Sequence, residues 1–133
     1  MTEYRRRVMA AMLALALPLA VLAEADGKWL RKVPEKDRAA VNPMAGSAEA
    51  AAVGKNLFEQ NCARCHGKDA EGLHGRPSLH SERVQHATDG ELAWILKNGQ
   101  QFKGMPTWSS LPEQQRWQII AYLRTLPADP ARN

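Results

Sequence analysis

Apolar positions fall into clearly different patterns along the chain. Val8 to Ala23 (VMAAMLALALPLAVLA) is an unbroken run of sixteen residues without a charge, preceded by Arg5-Arg6-Arg7. Residues 24–46 are mixed and charged, interrupted by Pro34 and Pro43, with little periodicity. This stretch reads as an extended arm or a linker, with Trp29 and Leu30 available to tack it to a globular body. Helical spacing then takes over. In 47–61, Ser47 can cap, Ala48 to Ala52 are strong helix formers, and Val53, Leu57 and Phe58 fall on one side. In TDGELAWILKNG (88–99), Thr88 and Glu91 form a capping box, Leu92, Ile95 and Leu96 form the stripe, and Gly99 can end the helix. In SLPEQQRWQIIAYLRTLP (110–127), Ser110 and Glu113 predict a second box, with Pro112 in the first turn and Pro127 marking the end. Trp117, Ile120 and Leu123 carry its buried face, with Ile119 and Tyr122 on adjacent rows. No run keeps a period of two beyond a few residues, so the expected fold is all-α. The twenty-one residues 67–87, rich in Gly, His and Ser, show little regularity. So long an irregular segment in a small domain suggests organisation by a ligand. No internal repeat is visible.

Composition adds bounds. The 133 residues suit one domain, and a hydrophobic fraction of 44% suffices for a core. Two Cys are too few for a disulfide scaffold. The formal charge of +4 suggests an acidic partner, until its distribution is considered. The basic flank, short apolar run and small residues at its end read as a secretory signal, cleaved after Ala23 or alternatively Ala25. The run is short of the about 20 residues a membrane span needs, and Pro18 interrupts it, so an uncleaved anchor is the secondary reading. No Cys lies nearby for lipid attachment. Loss of 1–23 removes Glu3, Arg5, Arg6 and Arg7 from 18 basic and 14 acidic residues, leaving 15 and 13 and a charge of +2. A nucleic-acid partner is therefore not expected, and no RNA-binding aromatic motif or zinc-finger spacing supports one. The expected organisation is a signal at 1–23, an arm or linker at 24–46, a domain at 47–128 and a tail at 129–133. The expected location is periplasmic, with no membrane association after cleavage.

Candidate chemistry concentrates at Cys62-Ala63-Arg64-Cys65-His66, the c-type haem attachment motif. Two thiols three residues apart on a helical turn face the same way and can add to the two vinyl groups of one porphyrin edge. His66 follows directly, placing an imidazole beneath the ring. A Cys62–Cys65 disulfide, a redox pair and a zinc site are the alternatives. The redox pair would want a βαβ context and zinc would want four ligands, and neither is present in the sequence. The second axial ligand comes from His74, His80, His86, Met44 or Met105. Met105 is preferred: Gly104 permits close backbone approach, Pro106 stiffens the loop, and 39 residues separate it from His66, enough to reach the opposite face. His80 and His86 read most simply as solvated.

These residues resemble a class I monohaem cytochrome c of the small bacterial type, similar to the domains of cbb3 oxidase cytochrome subunits. The resemblance covers about residues 47–127. It is carried by Gly54-x-x-x-Phe58-x-x-x-Cys62, by Ile119-Ile120-Ala121-Tyr122-Leu123, and by Arg76-Pro77-Ser78-Leu79, where the family usually has Gly at the first position. It implies a class I cytochrome c fold in which the N- and C-terminal helices cross near a right angle. Gly54 then lets the backbones touch, and Phe58 packs on Ile119 and Tyr122. It further implies that the Pro77 carbonyl accepts the Nδ1–H of His66, that Leu79 packs on the haem face, and that Trp94 and Trp108 wall the pocket. Arg76 is expected either in solvent or at a propionate.

Two strong protein ligands leave iron no vacant position, so the site is expected to exchange single electrons rather than turn over a substrate. A Met ligand favours the ferrous state. The expected protein is an exported monomer with one covalent haem c, docking transiently with a redox donor and a redox acceptor. The alternatives are a haem subunit of a periplasmic dehydrogenase or reductase, in which the arm could dock, and a ligand sensor or peroxidase from which Met105 dissociates. Two ionised propionates would bring the net charge near zero.

Overall fold

The computed structural model describes residues 28–132. The expected export signal lies outside the described residues. The described chain is helical: α1 (Glu35–Arg38), α2 (Ala48–Asn61), α3 (Ala63–His66), α4 (Glu82–His86), α5 (Asp89–Asn98) and α6 (Glu113–Leu123), with 3-10 turns at Leu30–Lys32, Gln101–Lys103 and Pro130–Arg132. Among the described residues, β pairing is confined to an isolated antiparallel bridge between Gln100 and Met105. The all-α expectation therefore holds. No helix among the described residues is long and apolar enough to cross a membrane.

Helices α2 and α6 make the most extensive contact between elements. Ser47 caps α2, its hydroxyl accepting from the Ala50 N–H at 3.1 Å. Seven residues on, Gly54 meets the α6 backbone directly. A Cβ there would lie 2.5 Å from the Gln118 carbonyl carbon and nearer still to its oxygen. One turn later Phe58 is fully buried and its ring lies 5.3 Å from that of Tyr122, tilted by 52°. Such a pair adds about 1 kcal/mol to the burial of both rings. Phe58, Ile119 and Ile120 form the centre of the core, which Leu92, Leu96, Trp117 and Leu123 extend.

Helix α5 starts at the expected capping box: Glu91 N–H donates to Thr88 Oγ1 at 3.1 Å, and Thr88 N–H to Glu91 Oε2 at 2.7 Å. It ends at Gly99, in the left-handed region at φ +68°. The box expected at Ser110 and Glu113 does not form. Pro112 stands at the N-cap of α6 without a capping side chain. The reason is competition: the Glu113 carboxylate accepts the Trp117 indole N–H at 3.2 Å, one turn forward, rather than reaching back.

Residues 28–46 are not simply extended. They form the 3-10 turn at Leu30–Lys32 and the single turn α1, and Trp29, Leu30, Ala40 and Met44 pack against the core. Arg38 joins this segment to α5. It pairs with the buried Glu91 and donates to the Leu30 carbonyl at 2.8 Å, while its own carbonyl accepts from Thr88 Oγ1 at 2.9 Å. Gly90 lies against the α1 backbone, where a Cβ would sit 2.8 Å from the Arg38 carbonyl oxygen. Asn42, itself buried, donates to the Trp117 carbonyl at 3.0 Å. Arg38→Ala would leave a capping carboxylate buried without its cation. Because the Arg38 side chain is one-third exposed, the expected loss is modest, about 1–2 kcal/mol, seen as a lower urea midpoint at unchanged slope.

The irregular segment 67–87 holds the short helix α4 and is tied down by side chains of the chain itself. Arg124 donates to the Gln85 carbonyl at 2.9 Å, to the Ala87 carbonyl and to Asp89 Oδ1 at 2.8 Å. His80, expected in solvent, is half-buried, with Nδ1 3.0 Å from the Pro127 carbonyl oxygen and Nε2 2.7 Å from that of Asp69. It thereby bridges the end of α6 to the segment that follows His66.

Candidate haem site

The last turn of α2 runs into α3 with Cys62 at the joint. The Cys62 N–H donates to the Phe58 carbonyl at 2.8 Å, and the N–H groups of Cys65 and His66 both converge on the Cys62 carbonyl at 3.0 Å. Two thiols and an imidazole are thus set on one helical turn by the backbone alone. The thiols are not joined to one another; Cys62 is half-buried and Cys65 exposed. Burial first, and the neighbouring Cys65 second, push the Cys62 thiol up to about 11, so it is protonated at neutral pH.

Gly67, at φ +82°, stops α3. The Gly72 N–H then returns to the His66 carbonyl at 2.7 Å, which folds the following residues back under the imidazole. The result is a contact of 3.1 Å between His66 Nδ1 and the Pro77 carbonyl oxygen. A carbonyl only accepts, so Nδ1 carries the hydrogen and Nε2 keeps its lone pair for a metal. Burial holds this imidazole below the usual histidine range, opposed by the Pro77 hydrogen bond and reinforced by the Arg76 charge. It is therefore neutral at pH 7, the state an iron ligand needs.

Met105 is half-buried and packs against the core. It sits in a narrow hairpin closed by Gln100 N–H to the Met105 carbonyl at 2.9 Å and Met105 N–H to the Gln100 carbonyl at 3.1 Å. Gly99 makes the closure possible, since a Cβ there would lie 2.6 Å from the Pro106 carbonyl carbon. Downstream the hairpin is fixed by Thr107 Oγ1 donating to the Lys97 carbonyl at 2.5 Å and Trp108 N–H to the Leu96 carbonyl at 2.8 Å. Leu79 and Trp108 are half-buried against the same core. Trp94 differs from expectation: it lines a cleft with Lys36, Asp37 and Trp117, where α1, α5 and α6 meet.

The remaining sulfur and imidazole candidates are placed differently. Met44 packs on Ala50, Ala51 and Ala121 near the start of α2. At 1.5 Å per residue, Ala51 lies roughly 16 Å along the axis from Cys62. His74 and His86 are exposed, His74 at φ +50°. Arg76 was expected in solvent or at a propionate. It is exposed, and its Nη1 also donates to the Lys103 carbonyl at 2.7 Å, two residues before Met105.

The donor set fits a covalently held haem: two unpaired thiols on one turn and a neutral imidazole with Nδ1 engaged, with Cys62, Leu79, Met105 and Trp108 packed on one core cluster. Zinc finds no such support, since no cluster of three or more His, Cys, Asp or Glu side chains suited to a metal exists among the described residues.

The family described as cytochrome c oxidase, cbb3-type, subunit III matches residues 49–123, and the chain belongs to it. It is a c-type cytochrome of the class I fold, with covalent haem c as its cofactor. Among curated relatives, cbb3-type cytochrome c oxidase subunit CcoP of Rubrivivax gelatinosus is 50% identical over 36 residues, 27% of this chain and 12% of that protein. Subunit FixP of Sinorhizobium medicae is 30% identical over 100 residues, 62% of this chain and 32% of that one. CcoP of Rhodobacter capsulatus is 33% identical over 88 residues, 57% of this chain and 29% of the relative. The chain thus spans no more than about a third of the length of the curated relatives it matches. Among solved structures, cytochrome cL of Methylophaga aminisulfidivorans is 26% identical with a TM-score of 0.58, covering 65% of this chain and 59% of that one. Cytochrome cL of Hyphomicrobium denitrificans, at 20% identity, also scores 0.58, covers 75% and 67%, and bears on the fold alone.

Proposed function

We propose that the chain is an exported carrier of single electrons. In this reading Cys62 and Cys65 hold the haem through thioethers, and His66 and Met105 are its axial ligands. The observation that carries the reading is the contact of His66 Nδ1 with the Pro77 carbonyl, made on the same turn as both thiols. That contact fixes the tautomer and the ring orientation and raises the basicity of Nε2. The haem, when bound, supplies the one-electron couple. The protein's part is to hold both ligands still, so that little reorganises between oxidation states, and to shield the ring with Leu79 and Trp108. The thioether of Met105 favours the reduced form relative to a second imidazole. With both axial positions filled by protein, no substrate turns over at the metal. Donor and acceptor proteins dock transiently at the haem edge, the carrier acting as a monomer in the periplasm without nucleic-acid or membrane partners.

A second reading, a haem domain working within a larger complex, is favoured by one observation: the matched relatives are named as oxidase subunits and are far longer than this chain. Size-exclusion chromatography of the native protein separates the two, since elution as a free monomer supports the carrier and fixed-stoichiometry co-purification the subunit. The site itself is tested by redox titration. One haem should titrate as a single centre with about 59 mV per decade, and the reduced protein should show no spectral change under carbon monoxide at neutral pH. Carbon monoxide binding would contradict two-sided protein ligation and favour a ligand sensor.

A further inference from the structure

We propose that Arg76 is a positioning residue that latches the Met105 hairpin to the segment carrying Pro77, and so keeps the thioether on the iron. The inference rests on the ligand assignment above and goes beyond it.

A continuous path of contacts links the two sides of the site. His66 Nδ1 meets the Pro77 carbonyl at 3.1 Å, and Arg76 precedes Pro77 in sequence. The backbone of Arg76–Ser78 packs on Gly72, where a Cβ would lie 2.9 Å from Ser78 N; Gly72 in turn donates to the His66 carbonyl at 2.7 Å. The backbone of Arg76 is thereby anchored on the His66 side. Its guanidinium crosses to the other side, donating from Nη1 to the Lys103 carbonyl at 2.7 Å. It also packs against Gly104: a Cβ at that position would be 2.6 Å from Nη1 and 3.1 Å from Nη2. Gly104 is at φ +78° and directly precedes Met105.

The latch has work to do because of where the hairpin is weak. Its base is closed by the Gln100–Met105 pair, and its downstream strand is held by Thr107 and Trp108. The tip, Gln101–Gly104, is exposed, with Phe102 fully so. A charged donor on the Lys103 carbonyl restrains that tip from outside. Removing it should raise the fraction of molecules in which the thioether has left, without loosening the α2–α6 core.

The experiment compares ferric native protein with Arg76→Ala and Arg76→Lys during titration with free imidazole, following loss of the long-wavelength thioether-to-iron band. Apparent imidazole affinity rises in proportion to the fraction of open hairpin. Loss of one charge-assisted hydrogen bond should tighten it roughly tenfold in Arg76→Ala. Arg76→Lys, which keeps the charge and a donor but not the planar fork, should fall between. Thermal unfolding followed by far-ultraviolet circular dichroism should change little. Affinity within twofold of native in Arg76→Ala would overturn the latch. So would a melting midpoint that falls together with the band, since Arg76 would then brace the whole fold. Absence of the band from the native protein would instead overturn the Met105 assignment, and the latch with it.

Discussion

Gly54→Val is expected to prevent the chain from accumulating as a stable haem protein. The Cβ of any substitute would enter the Gln118 carbonyl group, 2.5 Å from its carbon. The obstacle is helix backbone and not the end of a flexible side chain, so α2 and α6 must separate to relieve it. Separation would loosen Phe58, Ile119 and Ile120 together, the largest fully buried side chains among the described residues. Overpacking ordinarily costs 1–3 kcal/mol, and a rigid obstacle at the main helix contact puts this substitution at about 3 kcal/mol or above. That is a large share of the 5–15 kcal/mol typical of a domain. Gly54→Ala should shift the urea midpoint in the same direction by less, because it adds the same Cβ without the branch. An unchanged midpoint for Gly54→Val would mean that the helices do not meet at this residue.

That contact was reached by resemblance, carried on Gly54, Phe58 and Cys62 at four-residue spacing. The Thr88–Glu91 box and Gly99 were legible from the residues themselves, each being a local device whose partners lie within one turn. The failures share the opposite property. The Ser110–Glu113 box has the right spacing, yet Trp117 takes the Glu113 carboxylate, and spacing alone cannot rank two acceptable partners. Arg38, Asn42 and Arg124 act one at a time across 35 to 75 residues. Such contacts leave no periodic trace. Residues 67–87 looked structureless for that reason, although Arg124 and His80 hold them.

The site divides the same way. Cys62, Cys65 and His66 form a local motif, and the structure sets them on a single turn. Pro77 was reached by resemblance, and its carbonyl lies within hydrogen-bond distance of His66. The Arg76 contact to Lys103 spans 27 residues and involves a backbone acceptor, which no side-chain pattern announces. Trp94 was misplaced because it shares helix α5 with core residues but lies toward Lys36 and Asp37, and only the docked segment 28–46 reveals that side as an interior one.

Met105→Ala carries the second large effect. A methyl group cannot coordinate iron, and an exchangeable ligand would take the vacated position. The reduction potential should fall, since the thioether that favours the ferrous state is lost, and carbon monoxide should bind the reduced variant where it leaves the native protein unchanged. The fold should survive, because Met105 is half-buried at the core's margin and its hairpin is closed by backbone groups.

The most direct measurement of the central claim is the optical spectrum of the oxidised protein, native and Met105→Ala, with Met44→Ala as the companion variant. The long-wavelength thioether-to-iron band should be present in the native protein and in Met44→Ala and absent from Met105→Ala. A band that persists in Met105→Ala, or that is missing from the native protein, would contradict the assignment of His66 and Met105 as the axial pair.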